Sequence, residues 1–280
     1  MIDEEAQLVS DLTGVAKTDI AFSDNGFLSR GYIIDNGRIV FKFKKWPEIS
    51  YKNEIKMLNF VNSLDLNIKL QKIGWISEDD SYLGIYGIVG NCLKDITLTN
   101  EQCKDYGVQI GTFLKKLHQT SFKEADTLSV KQEIAAWQER YERSKDILSE
   151  YFNPEEIKRM DEFIYTILPE KLPALGEKMV FSHGDLALGN MLVDANEKIG
   201  IIDFSESVYL DEAADFMDME DDRLLATVLD TYDADGILRQ KVALRRIVHP
   251  MFIIGTYRDR PKDQVMYFVS KLREWIDKNE

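Results

Sequence analysis

The sequence predicts an α+β protein with a small β-rich N-terminal lobe and a larger helical C-terminal lobe. Short runs rich in β-branched and aromatic residues fill the first 90 or so residues, whereas from Asn100 onward apolar residues recur at helical spacing. A compact β segment over 179–202 interrupts the helical part. We place the boundary near Ile88–Gly90, which gives an N-terminal lobe at 1–89 and a C-terminal lobe at 90–280.

The N-terminal lobe begins with a predicted hairpin. Two β-rich runs, 31–34 and 38–43, are separated by Asp35-Asn36-Gly37. Asn-Gly between such runs is a strong hairpin signal because both residues tolerate positive φ. The other elements predicted for this lobe are a helix capped by Ser50 and two strands, over 51–63, 70–76 and 82–89.

The C-terminal lobe contains two long predicted helical stretches, 100–118 and 130–168, and ends in a helix over 263–277 with one apolar side. Three short apolar runs in its middle are predicted strands: 179–182, 191–193 and 199–202. The last two are joined by a turn at 194–198.

Composition excludes several classes of partner. The formal net charge of −14 disfavours nucleic acid and anionic membrane, because both require basic patches. No apolar run approaches the ~20 residues of a membrane helix, and the acidic N-terminus is not a signal peptide. The two cysteines, Cys92 and Cys103, are interpreted as reduced thiols, so we expect a cytoplasmic protein.

One segment carries the chemistry: Asp185 and Asn190 lie five residues apart, and Asp203 follows the second of two apolar runs. A carboxylate at Asp185 could accept the proton of an incoming hydroxyl, while Asn190 and Asp203 offer oxygen ligands to Mg²⁺. The pattern H-G-D-x-x-x-x-N…D-F-S resembles the protein-kinase pattern H-R-D-x-x-x-x-N…D-F-G. Each aspartate alone could be a helix cap or a strand end, but all three residues at this spacing favour phosphoryl transfer.

The N-terminal lobe offers a phosphate-binding lysine. Val40 and Lys42 share one face of the strand at 38–43, and a lysine among apolar residues in mid-strand is costly unless an anion meets it. Glu54, on the following helix, is the expected partner. Lys44 lies on the same face and is a rival, and a solvated lysine is the alternative interpretation.

Two further nucleotide contacts are predicted in this lobe. Ser23 and Gly26 precede the lysine strand and could form a phosphate-covering loop, although G-x-G-x-x-G is absent and a plain turn is the alternative. A hinge could offer backbone groups to a purine base. Its residues are Ile85, Tyr86, Gly87 and Ile88.

At these residues the chain resembles the aminoglycoside phosphotransferase family of antibiotic kinases. The resemblance is strongest over 180–216 and extends to Lys42, Glu54, 113–118 and 253–257, the last leaning toward the 2″-phosphotransferases. The resemblance implies a bilobal protein-kinase-like fold, two Mg²⁺ ions, and ATP or GTP as phosphate donor. It also implies that His183 holds its loop, that Asp215 anchors that loop, and that His118 is a packed helix-end histidine.

The acceptor is expected to be a small molecule. Asp211, which begins the next motif-like stretch, follows Phe204 by only seven positions, which leaves no room for the activation loop of a protein kinase. Residues 211–235 include ten acidic side chains and one basic, Arg223, which suits a cationic acceptor.

The candidate acceptor-binding residues are few. By resemblance they are Glu206 and Tyr257, and by charge Glu220, Asp221 and Asp222. Acidic residues at a helix N-terminus also favour the helix dipole, so a solvated acidic face is the alternative.

These residues support three hypotheses. The first is a kinase that moves the γ-phosphate of ATP or GTP to a hydroxyl of an aminoglycoside antibiotic and so confers resistance. The second is a kinase of the same fold for a macrolide, choline, a sugar amine or an amino alcohol. The third, a nucleotide-binding protein without catalysis, is disfavoured by the presence of Lys42, Asp185, Asn190 and Asp203.

Overall fold

The computed structural model describes residues 2–24, 26, 28–256 and 262–278. The α-helices within this part are α1 (Ile2–Thr13), α2 (Lys52–Asn62), α3 (Asn100–Leu117), α4 (Val130–Leu148), α5 (Pro154–Glu162), α6 (Leu168–Ala174), α7 (Asp222–Tyr232), α8 (Gly236–Thr256) and α9 (Lys262–Lys278). The strands are β1 (Ile20–Ser23), β2 (Ser29–Ile34), β3 (Ile39–Lys44), β4 (Lys69–Leu70), β5 (Lys72–Ile76), β6 (Tyr82–Tyr86), β7 (Asn91–Cys92), β8 (Met179–Ser182), β9 (Met191–Val193), β10 (Ile199–Ile201) and β11 (Val208–Asp211).

The chain forms two compact units that interleave in sequence. The first unit comprises Met1–Leu117, Asp185–Ser207 and Asp221–Thr231. The second comprises His118–Gly184, Val208–Glu220 and Tyr232–Glu280. Among the helices that the structure describes, none is long and apolar enough to cross a membrane.

The first unit contains an antiparallel sheet in the order β1-β2-β3-β6-β5. The predicted hairpin is confirmed as β2 and β3, in which Gly31 faces Lys42 across the ladder. The turn between them requires left-handed backbone at all three residues, with φ of 49° at Asp35, 53° at Asn36 and 91° at Gly37. This explains why Asn and Gly stand there.

The side chains of β3 alternate between the two faces of this sheet, as predicted. Phe41 and Phe43 are buried in an apolar cluster with Val9 of α1, whereas Lys42 on the opposite face reaches α2. The sequence did not reveal α1, because Val9 is its single fully buried residue. The helix is held instead by Glu5, which binds the Arg30 guanidinium at 2.5 Å and the Tyr32 hydroxyl at 2.8 Å.

A second, four-stranded sheet in this unit has the order β4-β10-β9-β7. β9 and β10 form the predicted hairpin, and β4 joins β10 in parallel. The Ile202 amide donates to the Asn190 carbonyl at 3.0 Å and closes the hairpin on its open side. The ends of the two strands, and with them Asn190 and Asp203, are therefore held side by side.

The second unit is mainly helical. α4 packs against α8, and α8 against α9, around one apolar core that includes Trp137, Tyr141 and Phe268. The stretch predicted as helical over 130–168 is divided into α4 and α5, and a π-helical turn at Phe163–Ile167 leads into α6. α4 and α5 each begin with a capping box, at Ser129 and Asn153. β8 and β11 form a separate antiparallel ladder.

Candidate active site

The first unit brings Lys42, Glu54 and Asp203 together. Lys42 Nζ lies 2.6 Å from Glu54 Oε1 and 3.5 Å from Asp203 Oδ1. The Glu54 side chain is 4% exposed and that of Lys42 19%, whereas 37% of the Asp203 side chain is open to solvent. A buried ion pair thus borders one accessible carboxylate, so the three side chains carry a net negative charge and the Asp203 carboxylate can be reached by a cation.

Burial and charge act against each other in this cluster. Burial alone would lower the pKa of Lys42, but the charges of Glu54 and Asp203 outweigh it and raise that pKa. Burial raises the pKa of Glu54, and the nearby Lys42 charge opposes that rise. Lys42 is therefore a fixed cation, held in place by the glutamate predicted to pair with it.

Asp203 occupies a strained backbone position. Its φ is 66°, in the left-handed region that residues with a β-carbon rarely adopt. Gln71 Oε1 accepts from its amide at 3.1 Å, and its carboxylate accepts from the Ser205 hydroxyl at 2.8 Å. Asn53 of α2 donates to the Ser205 carbonyl at 2.9 Å. Such strain persists where surrounding contacts enforce it, and it concentrates at functional sites.

Asn190 orients the candidate base. Its Nδ2 donates to the Asp185 carbonyl at 2.8 Å and to the Asp185 carboxylate at 2.9 Å. This leaves Oδ1 as the acceptor atom of the amide. The Asp185 carboxylate is thereby held by a neutral hydrogen-bond donor.

The predicted Mg²⁺ ligands fit a hard cation in type and number. The Asp203 carboxylate and the Asn190 Oδ1 atom are oxygen donors, which Mg²⁺ prefers. Nowhere in the described part do three or more His, Cys, Asp and Glu side chains come together to hold a metal ion. Two protein oxygens suit Mg²⁺, which usually completes its shell with water and nucleotide phosphates.

The rival lysine is engaged elsewhere. Lys44 Nζ lies 2.9 Å from Asp80 Oδ2, and the other oxygen of that carboxylate accepts from the Tyr51 amide at 3.0 Å. Asp80 therefore connects β3 to the start of α2. These contacts support Lys42 over Lys44 as the phosphate-binding lysine.

The other predicted nucleotide contacts lie on β1, on β6 and in the segments that follow these strands. Ser23 ends β1 and pairs with Gly31, and Gly26 is exposed beyond it. In the predicted hinge, Ile85 is fully buried and Tyr86 is 48% exposed. The Gly87 amide already donates to the Arg38 carbonyl at 2.9 Å, so that N–H is committed to the protein.

The predicted loop anchor lies in the second unit. Asp215 accepts from the amides of His183 and Gly184, each at 2.9 Å, and lies 3.0 Å from His118 Nε2. Burial would raise the pKa of Asp215, but its bond to His118 and the neighbouring amides lower it. His118 is thus a buried histidine at the end of α3, whereas the bond from His183 to Asp215 is made by its backbone amide and leaves the role of its side chain a prediction.

The described candidate acceptor residues are divided between the two units. Glu206 is exposed and belongs to the first unit with Asp221 and Asp222, Glu220 belongs to the second, and Tyr257 lies outside the described residues. Asp221 accepts from the Arg223 amide at 2.9 Å and pairs with its guanidinium at 2.7 Å. Asp221 therefore caps α7. This agrees with the alternative interpretation, in which acidic residues at a helix N-terminus favour the helix dipole.

Sequence reasoning missed several contributors. Gln71 and Asn53, which hold Asp203 and the segment after it, belong to no motif. His249 of α8 had no assigned role, yet its Nδ1 lies against Asp218 and its Nε2 lies 4.0 Å from Glu220 Oε1. Only its spacing on one helix face with Lys241 and Arg245 could have drawn attention to it.

The chain is similar to known phosphotransferases in sequence. The family model of the phosphotransferase enzyme family matches residues 22–244. An aminoglycoside 3′-phosphotransferase of Niallia circulans is 33% identical over an alignment of 106 positions, which covers 35% of this chain and 37% of that protein. The chain thus matches little more than a third of that curated relative.

Solved structures of low identity share the fold over nearly the whole chain. The GDP and kanamycin complex of APH(2″)-IIIa has a TM-score of 0.76 at 16% identity, covering 99% of both chains. The gentamicin complex of APH(2″)-IIa has a TM-score of 0.70 at 19% identity, covering 96% of this chain and 95% of that one. The macrolide 2′-phosphotransferase MphH of Brachybacterium faecium has a TM-score of 0.65 at 14% identity, covering 96% and 97%. The predicted α+β, kinase-like fold is confirmed.

Proposed function

This chain belongs to the phosphotransferase enzyme family, as its motifs predicted, and from that premise we propose that it is a kinase of aminoglycoside hydroxyl groups. The observation that carries the proposal is the grouping of Lys42, Glu54 and Asp203, together with Asp185 held by Asn190. This set contains a fixed cation, a candidate metal-binding carboxylate and an oriented proton acceptor. Phosphoryl transfer requires these three elements.

Each side chain has a defined part in the proposed reaction. Lys42 neutralises phosphate oxygens of the nucleotide, and Glu54 keeps its ammonium in place. Asp185 accepts the proton of the acceptor hydroxyl as that oxygen bonds to the γ-phosphorus and the bond to the β-phosphate oxygen breaks. Mg²⁺, when bound through Asp203 and Asn190, would neutralise phosphate charge.

The phosphate donor we propose is ATP or GTP. Similar folds have been solved as complexes with GDP, in APH(2″)-IIIa, and with ATP, in APH(2″)-IIa. The hinge residues Ile85 to Ile88 indicate no preference for either nucleotide, and the Gly87 N–H, bonded to the Arg38 carbonyl, is not among the groups that could meet the base.

An aminoglycoside is the proposed acceptor because such acceptors are polycationic and this chain is acidic, with the carboxylates of Glu206, Asp222 and Glu220 outside the buried cores. The folds it resembles have been solved with kanamycin and gentamicin. A less highly charged acceptor, such as a macrolide, is the second candidate. Its support is that Asp221 is paired with Arg223, which reduces the negative charge open to a ligand.

A coupled nucleotide-turnover screen tests the proposal. Purified protein with Mg²⁺ and either ATP or GTP is offered a panel of aminoglycosides, macrolides and small amino alcohols, and phosphorylated products are identified by mass spectrometry. We expect turnover with aminoglycosides, and loss of at least about a hundredfold in Asp185→Ala with nucleotide affinity nearly unchanged, because a transition-state group is removed. Turnover with macrolides alone would favour the second candidate, and equal losses of turnover and nucleotide affinity would refute the role of Asp185.

A further inference from the structure

The second unit holds β8 at both ends through two aspartates four residues apart. Asp215 accepts from the amides of His183 and Gly184, just after β8. Asp211 accepts from the Lys178 amide at 3.1 Å, just before β8, and from the Ala213 amide at 3.2 Å. Asp211 thus fixes the start of the strand and the turn that leads to Asp215.

Asp211 is fully buried, so its charge requires compensation. Two cations of α8 supply it: Lys241 Nζ lies 2.8 Å from Oδ2, and an Arg245 guanidinium nitrogen lies 3.3 Å from Oδ1. The two residues are four apart and so lie on one helix face. Burial would raise the pKa of Asp211, but the Lys241 and Arg245 contacts outweigh burial and lower it.

Arg245 is itself fixed from a third element. Glu133 of α4 accepts two parallel hydrogen bonds from its guanidinium, at 2.9 and 3.0 Å, and the Trp137 ring lies 5.2 Å from its central carbon. Both Arg245 and Lys241 are almost completely shielded from solvent. The planar fork and the stacking contact are specific to arginine, because a lysine ammonium offers neither.

Stability alone is a poor explanation for these buried charges. Replacement of buried ion pairs by apolar side chains is often neutral or stabilising, whereas a paired network fixes one geometry. We propose that Lys241 and Arg245 are positioning residues for the proposed phosphotransfer reaction. They act through Asp211 to fix β8, and hence the loop amides at His183 and Gly184, immediately before the candidate base Asp185.

This inference rests on the proposed function for its catalytic part, so its test has one readout that needs no activity. Hydrogen–deuterium exchange is measured in the peptide spanning 178–184 for the wild type, Arg245→Lys and Lys241→Met. The control is Leu148→Ala, which removes a buried apolar side chain of the same unit and is compared at an equal interval below its own melting temperature. We expect exchange in this peptide to accelerate about tenfold in the two α8 variants and to stay near the wild-type rate in the control, because only they release β8 locally.

Steady-state kinetics provide the second readout. We expect kcat per folded molecule to fall about tenfold to a hundredfold in Arg245→Lys, with KM for the nucleotide within about twofold of wild type, as for a displaced catalytic group. Equal exchange in the α8 variants and the control, with kcat unchanged, would overturn the inference. If no acceptor is phosphorylated but the exchange contrast is present, the proposed function fails and the fixing of β8 stands.

Discussion

The ammonium of Lys42 lies 2.6 Å from Oε1 of Glu54, a carboxylate that is almost fully buried. The pair joins the middle of β3 to the first turn of α2, and the remaining side of the ammonium faces Asp203 at 3.5 Å. Removing the cation would leave this buried carboxylate without a partner, which strongly destabilises a protein. Variants of these two residues can therefore distinguish the contribution of the ion pair to stability from the contribution of Lys42 to phosphotransfer.

We expect Lys42→Met to abolish measurable phosphotransfer and to destabilise the protein by ~2–4 kcal/mol, because Glu54 is left buried without its cation. Restoring neutrality with Lys42→Met/Glu54→Gln should recover most of that stability and none of the activity. Denaturant unfolding and steady-state kinetics on the same preparations measure both effects. Lys44→Met, on the same strand and face but paired with Asp80, is the matched control and should retain activity. Activity in the double variant would contradict the role of Lys42.

A second prediction concerns Asp203, whose backbone conformation and side-chain charge can be tested separately. Asn tolerates the left-handed region about as well as Asp, so Asp203→Asn should change the free energy of unfolding by less than ~1 kcal/mol. Loss of the anionic oxygen should nevertheless abolish Mg²⁺-dependent tightening of nucleotide binding. Calorimetric titration with and without Mg²⁺ measures this. An unchanged Mg²⁺ dependence would refute the metal role of Asp203.

Sequence patterns predicted the parts of the site that depend on residues close to one another along the chain. The period-two alternation of β3 placed Lys42 opposite Phe41, and the hairpin of β9 and β10 placed Asp203 beside Asn190, because both follow from backbone geometry. The contact of Gln71 with Asp203 could not be predicted in the same way, because it joins residues 132 positions apart along the chain. No periodicity encodes a contact between elements so distant in sequence.

The roles of the acidic residues in 211–235 could not be predicted from the sequence either. Charge alone made Asp221 a candidate for the acceptor site, but its carboxylate caps α7 and pairs with Arg223. Asp211, one of ten acidic residues in that stretch, is fully buried between Lys241 and Arg245. Residue type indicates that a carboxylate needs a partner, and only the packing of helices shows which partner it has.

Gly87, in the predicted hinge, yields a third prediction. A β-carbon at this position would lie 2.1 Å from the Gly37 carbonyl oxygen, a backbone atom of the β2–β3 turn. Gly87→Ala must therefore displace either the hinge or the turn, and we expect a loss of ~1–3 kcal/mol in stability, the usual range for overpacking. Nucleotide affinity should fall with it, as measured by titration well below the melting temperature.

The control for this change is Gly236→Ala at the start of α8, where a β-carbon would meet nothing within 4 Å. Alanine there should be neutral or stabilise the protein by up to ~1 kcal/mol, because it lowers the entropy of the unfolded chain. Equal behaviour of the two variants would show that the hinge tolerates a side chain.

Asp194, in the turn between β9 and β10, predicts how stability depends on pH. Hydrogen bonds from the Lys69 ammonium and from the Lys198 amide lower the pKa of Asp194 to about 2. Because the folded-state pKa lies below the ordinary value of about 3.9, this stabilisation is complete above about pH 4 and is lost as the pH falls toward 2. The urea midpoint of the wild type should therefore exceed that of Asp194→Asn near neutral pH, and the two should converge by about pH 2. If the difference between the two urea midpoints is the same from pH 5 to pH 2, the pKa of Asp194 does not change on folding and the prediction is wrong.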